Sequence, residues 1–476
     1  MSGGGQPQQS VRRVLAITSA TTFLGFLDVT IVNLAFPDLR ADFGDPSVAE
    51  LSWVITAYAV LFAALLTPSG RLADLVGRRQ LFLVGIGVFT AASIMSTLAP
   101  SIEVLIGARA IQGLGAALMI PSALGLVLAA AAPEFRTQAV GIWGAAAGMS
   151  AAVGPSLGGL LVDIFSWRAV FLINVPIGIV LILAGVRALP VVDGAGRRVP
   201  DVAGTGVLTA GLILAVVGLT QANEWGWESV PTIACLVGAL VALTIALLRA
   251  RSHPAPAIET KLWRNSVFAS ANLSSLLFGG AMYSWMLVCV LFLVSVWDYS
   301  VLEAGLATSP GAFTAAVASV ITGRRSAAGN QRLPVVAGAL LTAAAGIWLV
   351  LALDREPAFL SIWLPAGLIA GLGMGACVTG LSSAVATAVA PTHFAAAAGL
   401  NLSARQVGGA LGIAVLTLIL EADVVPGINT YLDVFLFSSL TFIASGLAGL
   451  RLAGRARDSA EPTGVSAGEG SQPRAL

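Results

Sequence analysis

Apolar positions along this chain gather into long runs, each close to the roughly 20 residues that cross a bilayer as a helix. Short polar stretches separate them. The runs predict fourteen helices, over residues 14–36, 51–68, 80–99, 102–131, 137–162, 167–189, 202–221, 230–248, 266–294, 302–322, 333–353, 360–389, 395–420 and 431–453. The fold class that follows is an all-α polytopic membrane protein. The leader, residues 1–13, is polar, and the run after it is too long for a cleaved signal peptide and carries an aspartate, so helix 1 is expected to stay.

Composition strengthens this reading. Hydrophobic residues make up 57% of the chain and charged residues 10%, against about 25% charged in a soluble domain. Cys235, Cys289 and Cys377 fall singly in separate runs, and His253 and His393 sit at run ends, so no disulfide framework or metal site is expected. Asn272 and Asn401 begin glycosylation triplets but lie inside apolar runs. The sequence has no phosphate-binding loop and no nucleophile–base constellation, so neither ATP hydrolysis nor another enzyme activity is implied, and no cofactor.

The basic residues fix the expected topology. An even number of crossings puts both ends on one side, and twenty of the 25 Lys and Arg residues then share that side. They include Arg12, Arg71, Arg78, Arg79, Arg136, Arg249, Lys261, Arg324 and Arg455. Only Arg40, Arg168 and Arg355 fall on the other side, and Arg109 and Arg405 lie within helices. The excess of Lys and Arg in cytoplasmic loops therefore predicts that both termini are cytoplasmic.

Charges inside the runs are few. Of 24 acidic residues, Asp28 alone falls within a span, although Glu303 and Glu421 approach outer helix ends. A carboxylate within hydrocarbon is costly and persists where it faces a partner or a wet cavity. Asp28 lies about 12 Å from the outer end of helix 1 and Arg109 about 10 Å into helix 4, so the two share one depth. Such a carboxyl either exchanges protons or pins helix 1 to a neighbour. Gln112, one turn beyond Arg109, is expected on the same face. With a single intramembrane carboxyl, rigid dications are expected to be poorly accommodated, and neutral or singly charged amphipathic compounds well.

Internal echoes divide the chain. GLGAALMIP from Gly113 is echoed by GLGMGACVT from Gly371, and AVGIW from Ala139 by AAGLN from Ala397, both at one offset. GRLADLVGRR from Gly70 has a degraded echo in GRRSAAGNQR from Gly323, where Ala327 replaces Asp74. Two six-helix bundles follow, 14–190 and 266–453, with two inserted helices and their linkers over 191–265 and a polar tail, expected disordered, over 454–476.

LDVTIVNLAFP from Leu27, WVITAY from Trp53, GRLADLVGRRQ from Gly70, RAIQGLGAA from Arg109, GMSAAVGPSLGG from Gly148, WRAVFLINVPIG from Trp167, DVAG from Asp201 and NLSARQVGGALG from Asn401 occur in order. With these motifs the chain resembles the fourteen-helix drug:proton antiporter branch of the major facilitator superfamily. The resemblance implies a multi-pass protein of the inner or plasma membrane that exports amphipathic organic compounds by alternating access, driven by protons. Its expected partners are protons, those compounds and the lipid bilayer, with no nucleic acid, and it is expected to be a monomer. A dedicated exporter of one metabolite or antibiotic is the alternative within transport, and a transport-inactive receptor or scaffold the alternative outside it.

Roles follow residue by residue. Asp28 is expected to carry the proton with Arg109 as its partner. Gly70 and Gly77 allow a tight turn between helices 2 and 3, Arg78 and Arg79 are expected to face the anionic leaflet, and Asp74 is a carboxylate that could meet a helix N-terminus. The resemblance implies that this is the start of helix 13 near Ala395, as a gate between the bundles, the alternative being a topology anchor. Gly148, Gly154, Pro155, Gly158 and Gly159 form the expected hinge on helix 5, where small residues permit close packing and proline kinks. The expected substrate cavity takes in Asn33, Tyr58, Gln112, Trp143, Phe278, Met282, Trp285, Asn401, Arg405 and Gln406, since aromatic and methionine surfaces suit varied apolar ligands. Arg405, near mid-membrane without an acidic partner, either snorkels or meets substrate or lipid headgroups there.

Overall fold

The structure is a computed structural model that describes residues 5–44, 48–190, 201–253, 256, 260–325, 330–420 and 427–453. The side chains of Asn33 and Pro155, together with Ala327, Glu421, residues 191–200 and the tail from 454, lie outside the described residues. Among the described residues thirteen helices are long and apolar enough to cross a membrane. They become fourteen when Pro133–Gly154 and Ser156–Ile164, bent by 46° at their junction, count as one span.

In chain order these are α1 Gly5–Ile31, α2 Val48–Val76, α3 Arg78–Thr97, α4 Ile102–Ala130 and α5 Arg136–Ile164. The sixth span, α6, is built from Trp167–Leu172 and Asn174–Ala188. Then come α7 Val202–Trp225, α8 Val230–Ser252, α9 Ser266–Ser295, α10 Val301–Arg325 and α11 Arg332–Ala352. A π-helical turn, Phe359–Trp363, leads into α12 Leu364–Thr387, and α13 Phe394–Leu420 and α14 Ile428–Gly449 complete the set. Successive helices alternate in direction. Arg78, Arg136, Arg249, Arg324 and Arg451 thus gather at one end, the basic end, while Asp42, Arg168, Glu303 and Asp354 lie at the other.

Local sequence explains several boundaries. Gly77 takes φ +125°, a conformation that an L side chain resists, and so separates α2 from α3. Asp201 caps α7 by accepting from the Gly204 N–H at 2.8 Å, and Asn265 caps α9 by accepting from Val267 at 2.9 Å. Helix 1 departs from its expected length. It gives way after Ile31 to a 3-10 turn, Val32–Ala35, and a short helix, Phe36–Asp42, with proline in its first turn, because Pro37 lacks the N–H that an unbroken α-helix requires there.

The internal echo is also a packing echo. α4 lies between α2 and α3, and α12 between α10 and α11. A Cβ added at Gly113 would collide with the Tyr58 backbone, and one at Gly371 with the Gly311 backbone; Gly115 and Gly373 oppose Phe89 and Gly338 in the same way. α1 packs on α5 as α9 packs on α13, and α6 joins α1 and α3 as α14 joins α9 and α11. Two seams link the halves, α2 with α13 and α5 with α10. Since lipid tails are as apolar as the side chains, such contacts rest on close van der Waals approach, which small residues permit. α7 and α8 pair with each other, and α7 lies along the α2–α13 seam, with Val216 against Val60 and Ala63, and Leu208 close to Leu400. Val237, Leu240, Val241 and Leu248 on α8 remain exposed, as suits a lipid-facing helix.

Candidate coupling and gating sites

Asp28 and Arg109, read from sequence as sharing one depth, meet. Both side chains are fully buried, and Arg109 Nη1 donates to Asp28 Oδ2 at 2.5 Å. Gln112 Nε2 and Asn174 Nδ2 each donate to Asp28 Oδ1 at 2.8 Å. Gln112 is tied in turn to Arg109, accepting from Nη1 at 2.6 Å, and donates to Ser93 Oγ at 2.9 Å. The guanidinium has two further anchors, since its Nε donates to the Val54 carbonyl at 3.1 Å and its carbon lies 4.5 Å from the centre of the Tyr58 ring. Five elements therefore build the site: α1 supplies the acid, α4 the cation and amide, α6 a second amide, α2 the carbonyl and ring, and α3 the Ser93 hydroxyl.

Asn174 was not singled out from sequence, although it stands in the WRAVFLINVPIG motif. Its signal is a lone amide in an apolar run. Its Nδ2 holds Asp28 while its Oδ1 is buried without a hydrogen-bond partner, so half of this amide is unsatisfied beside the carboxylate.

At the basic end Asp74 is 3% exposed and accepts from the first N–H groups of α13, Ala395 at 3.3 Å and Ala396 at 2.7 Å. The expected contact with the helix 13 start is present, and it satisfies donors that a helix N-terminus leaves open. Two expectations around it are corrected. Gly70 lies inside α2, not in the turn, and a Cβ there would strike the Ala395 carbonyl; it is the point where α2 and α13 approach. Arg78 does not face the leaflet. It is 5% exposed, pairs with Asp74 at 2.7 Å, and donates to the Pro391 carbonyl and, at 3.3 Å, to the Gly125 carbonyl. Burial beside α13 leaves its charge no other solvation. Arg79 takes the outward position and donates to the Val186 carbonyl at 2.6 Å. Thr67 closes the same seam by donating to Ser403 Oγ at 2.7 Å. On the other seam Gln331 donates to Thr137 Oγ1 at 3.1 Å, a neutral contact where this one is charged.

The helix 5 glycines divide between two neighbours. Gly148 faces the backbone of Ala316 on α10, whereas Gly154 faces Thr30 on α1 and Gly159 touches Leu302 only at 3.8 Å. Gly158 is buried, and the 46° bend falls between Gly154 and Ser156. The run thus joins a close inter-half contact to a bend.

The expected cavity residues are not brought together. Tyr58 and Gln112 belong to the Asp28 cluster. Phe278 and Trp285 are buried in the second half, their rings 5.7 Å from Phe442 and 5.4 Å from Phe435 on α14, and Met282 packs on the same core. Trp143 is 3% exposed, in an apolar cluster shared with Phe394 and Leu402 of α13. Asn401 donates to Ser275 Oγ at 2.7 Å and lines a small cavity with Leu124, Ser382 and Phe394. Gln406 accepts from the Tyr283 hydroxyl. Arg405 is 9% exposed, with Nε and Nη2 lacking any partner.

The family model of the Major Facilitator Superfamily matches residues 18–413. The chain belongs to the major facilitator superfamily. Among similar members of this superfamily, the cephamycin export protein CmcT of Amycolatopsis lactamdurans is 35% identical, over 84% of this chain and 83% of that protein. The multidrug resistance protein Stp of Mycobacterium tuberculosis is 33% identical over 86% of this chain and 75% of that one. In fold, this carrier is similar to the human organic anion transporter MFSD10 (TETRAN), with a TM-score of 0.67, 17% identity, and coverage of 92% of this chain and 99% of that one. It is a multi-pass membrane transporter, and its relatives include named exporters of antibiotics and drugs.

Proposed function

We propose that this chain is a proton-coupled antiporter that exports small amphipathic organic compounds by alternating access. It works as a monomer in the inner or plasma membrane, with both termini cytoplasmic. The observation that carries the reading is the Asp28 cluster: a carboxylate wholly removed from water and held only by donors that can turn away. In the conformation described, the guanidinium of Arg109 matches its charge. If Arg109 withdraws onto the Val54 carbonyl and the Tyr58 ring, which already hold it, the carboxylate is left with a charge that only a proton can neutralise. A protonated Asp28 then has an O–H to donate. A half-turn of the Asn174 amide presents its unsatisfied Oδ1 as the acceptor, in place of the N–H that served the carboxylate.

The two seams supply the alternation. At the basic end, whose arginines support a cytoplasmic position, Asp74, Arg78 and the start of α13 lock the halves. Opening that end requires these charges to separate, so the latch favours the conformation closed to the cytoplasm, and the bend in α5 provides the pivot. The names of the relatives, an export protein for one antibiotic and a multidrug resistance protein, support export and leave breadth as two readings. The test is reconstitution of the full chain in proteoliposomes with an imposed pH gradient, a pH-sensitive dye and a panel of amphipathic compounds. Compound-stimulated proton flux supports the antiporter; uptake that ignores the gradient across the panel would overturn it. Growth-inhibition profiles over the same panel separate a broad exporter from a dedicated one.

A further inference from the structure

Six charged residues of the described structure are buried, and five of them belong to ion pairs. Asp28 meets Arg109 at 2.5 Å, Asp74 meets Arg78 at 2.7 Å, and Asp201 meets the half-exposed Arg249 at 2.8 Å. The sixth is Arg405. It is 9% exposed, its Nε and Nη2 are enclosed without a hydrogen-bond partner, and Asp298, Glu303, Asp354, Glu356 and Asp433, the acids described on its half, are all exposed at the other end of the helices from the basic loops. The ionisable groups that face it are Tyr283 and Cys377, both neutral near pH 7 by their ordinary values. The ring of Phe278 lies 6.0 Å from its guanidinium carbon, at the outer limit of a cation–π contact, and a ring face cannot satisfy in-plane N–H groups. Nε and Nη2 do not snorkel either, because a snorkelling arginine carries its N–H groups to water and these two are enclosed.

A lone buried guanidinium is among the costliest groups a membrane protein can hold, and it presents planar donors shaped for a carboxylate or similar oxyanion. Its place on α13 matters. Arg405 stands one turn beyond Asn401, which lines the inter-half cavity, and next to Gln406, whose amide oxygen is occupied by the Tyr283 hydroxyl. α13 is also the helix whose start is held by Asp74, so a ligand at Arg405 would be gripped by an element that moves with the gate. We propose that Arg405 is the seat for a single anionic group on the transported compound. The carrier then prefers amphipathic monoanions and zwitterions to cations. This inference rests on the export reading, which it deepens.

The expected effect is a selectivity. A well-formed guanidinium–carboxylate contact in a buried site discriminates by tenfold or more against a neutral isostere. The test uses the full chain in phosphatidylcholine proteoliposomes and two probes on one scaffold, a methoxycoumarin carboxylate and the matching carboxamide. Wild type should move the carboxylate at least about tenfold more efficiently. Arg405→Gln should bring the ratio of carboxylate to carboxamide transport efficiency close to one, whatever its overall rate, and Arg405→Lys should keep part of the preference. Equal losses for both probes in Arg405→Gln, or an unchanged preference, would overturn the proposal.

Transport of the carboxamide alone by wild type would overturn it while leaving export intact. If wild type moves neither probe and nothing else in the panel, the export reading fails, and direct binding decides the site: thermal stabilisation of wild type by the carboxylate, lost in Arg405→Gln, upholds it, and no stabilisation refutes it. Vesicles containing phosphatidylglycerol separate the other source of an anion. Activity that needs this lipid in wild type and no longer needs it in Arg405→Gln, with no carboxylate preference in either, would assign the guanidinium to a headgroup and overturn the proposal.

Discussion

Asp28 is held by one cation and two amides, and each donor carries a different consequence. Asp28→Asn keeps the shape but removes the proposed proton-carrying group and leaves the buried Arg109 guanidinium without its counter-charge, so gradient-driven export in vesicles should be lost and the melt lowered while the protein still inserts. Export at the wild-type rate by that variant would remove Asp28 from the mechanism. Arg109→Ala should likewise destabilise the fold, because it leaves a carboxylate buried without its counter-charge, at a cost of about 3–5 kcal/mol. Combining it with Asp28→Asn should recover much of that loss in a thermal melt, since the stranded charge is then gone. Asn174→Leu deletes one hydrogen bond to a charged group, worth about 1.5–3 kcal/mol, and also the acceptor for the protonated acid. Its distinguishing sign is an altered pH dependence of export; a melt shift with an unchanged pH profile would leave Asn174 as packing.

At the scale of elements, the contact between the α2–α3 turn and the start of α13 combines a helix N-terminus, a carboxylate and a buried arginine. Asp74→Asn keeps the acceptor oxygen but loses the charge that holds Arg78, so the basic end should open more often. Ser382 lines the small cavity behind this latch and is 5% exposed. In a background lacking Cys235, Cys289 and Cys377, a cysteine introduced by Ser382→Cys should react severalfold faster with a water-soluble maleimide when Asp74→Asn is also present. No change in rate would reduce Asp74 to a topology residue. The opposite seam should be less sensitive, because Gln331 and Thr137 meet without charge.

For the whole molecule, alternating access requires α2 and α13 to part. Thr67 and Ser403 touch across that seam, Oγ1 to Oγ at 2.7 Å. Replacing both with cysteine should allow an oxidant to link the halves, stop export, and let a reductant restore it. Continued export by fully cross-linked protein would mean that this seam does not open during the cycle. The distribution of buried charge makes a second global prediction. Among the described residues one intramembrane carboxyl is already paired and one buried arginine lacks an ion partner, so a rigid divalent quaternary ammonium compound should be tolerated far less well than a monovalent one by a drug-sensitive host expressing the chain. Equal protection against both would reveal a second cation-binding carboxylate.

The chain's hydrophobic runs determined its class, the number of crossings and the gathering of arginines at one end, because these depend on transfer of whole segments into lipid and not on how the segments meet. The common depth of Asp28 and Arg109 was legible for the same reason, since rise per residue is a local quantity, whereas the contact of Asp74 with the start of α13 was legible only through the family resemblance. What the sequence left open are azimuthal facts. Whether Arg78 turns to lipid or to Asp74, whether Gly70 bends the chain or admits a neighbour, and whether Phe278 and Trp285 face a cavity or α14 depend on the rotation of each helix about its axis. In a run apolar on all sides no polar stripe marks that rotation, so packing alone decided it. Asn174 joining Asp28 from α6, and Arg405 enclosed without a counter-charge, belong to that second kind. Only the meeting of helices distant in sequence shows which buried charges find partners and which one does not.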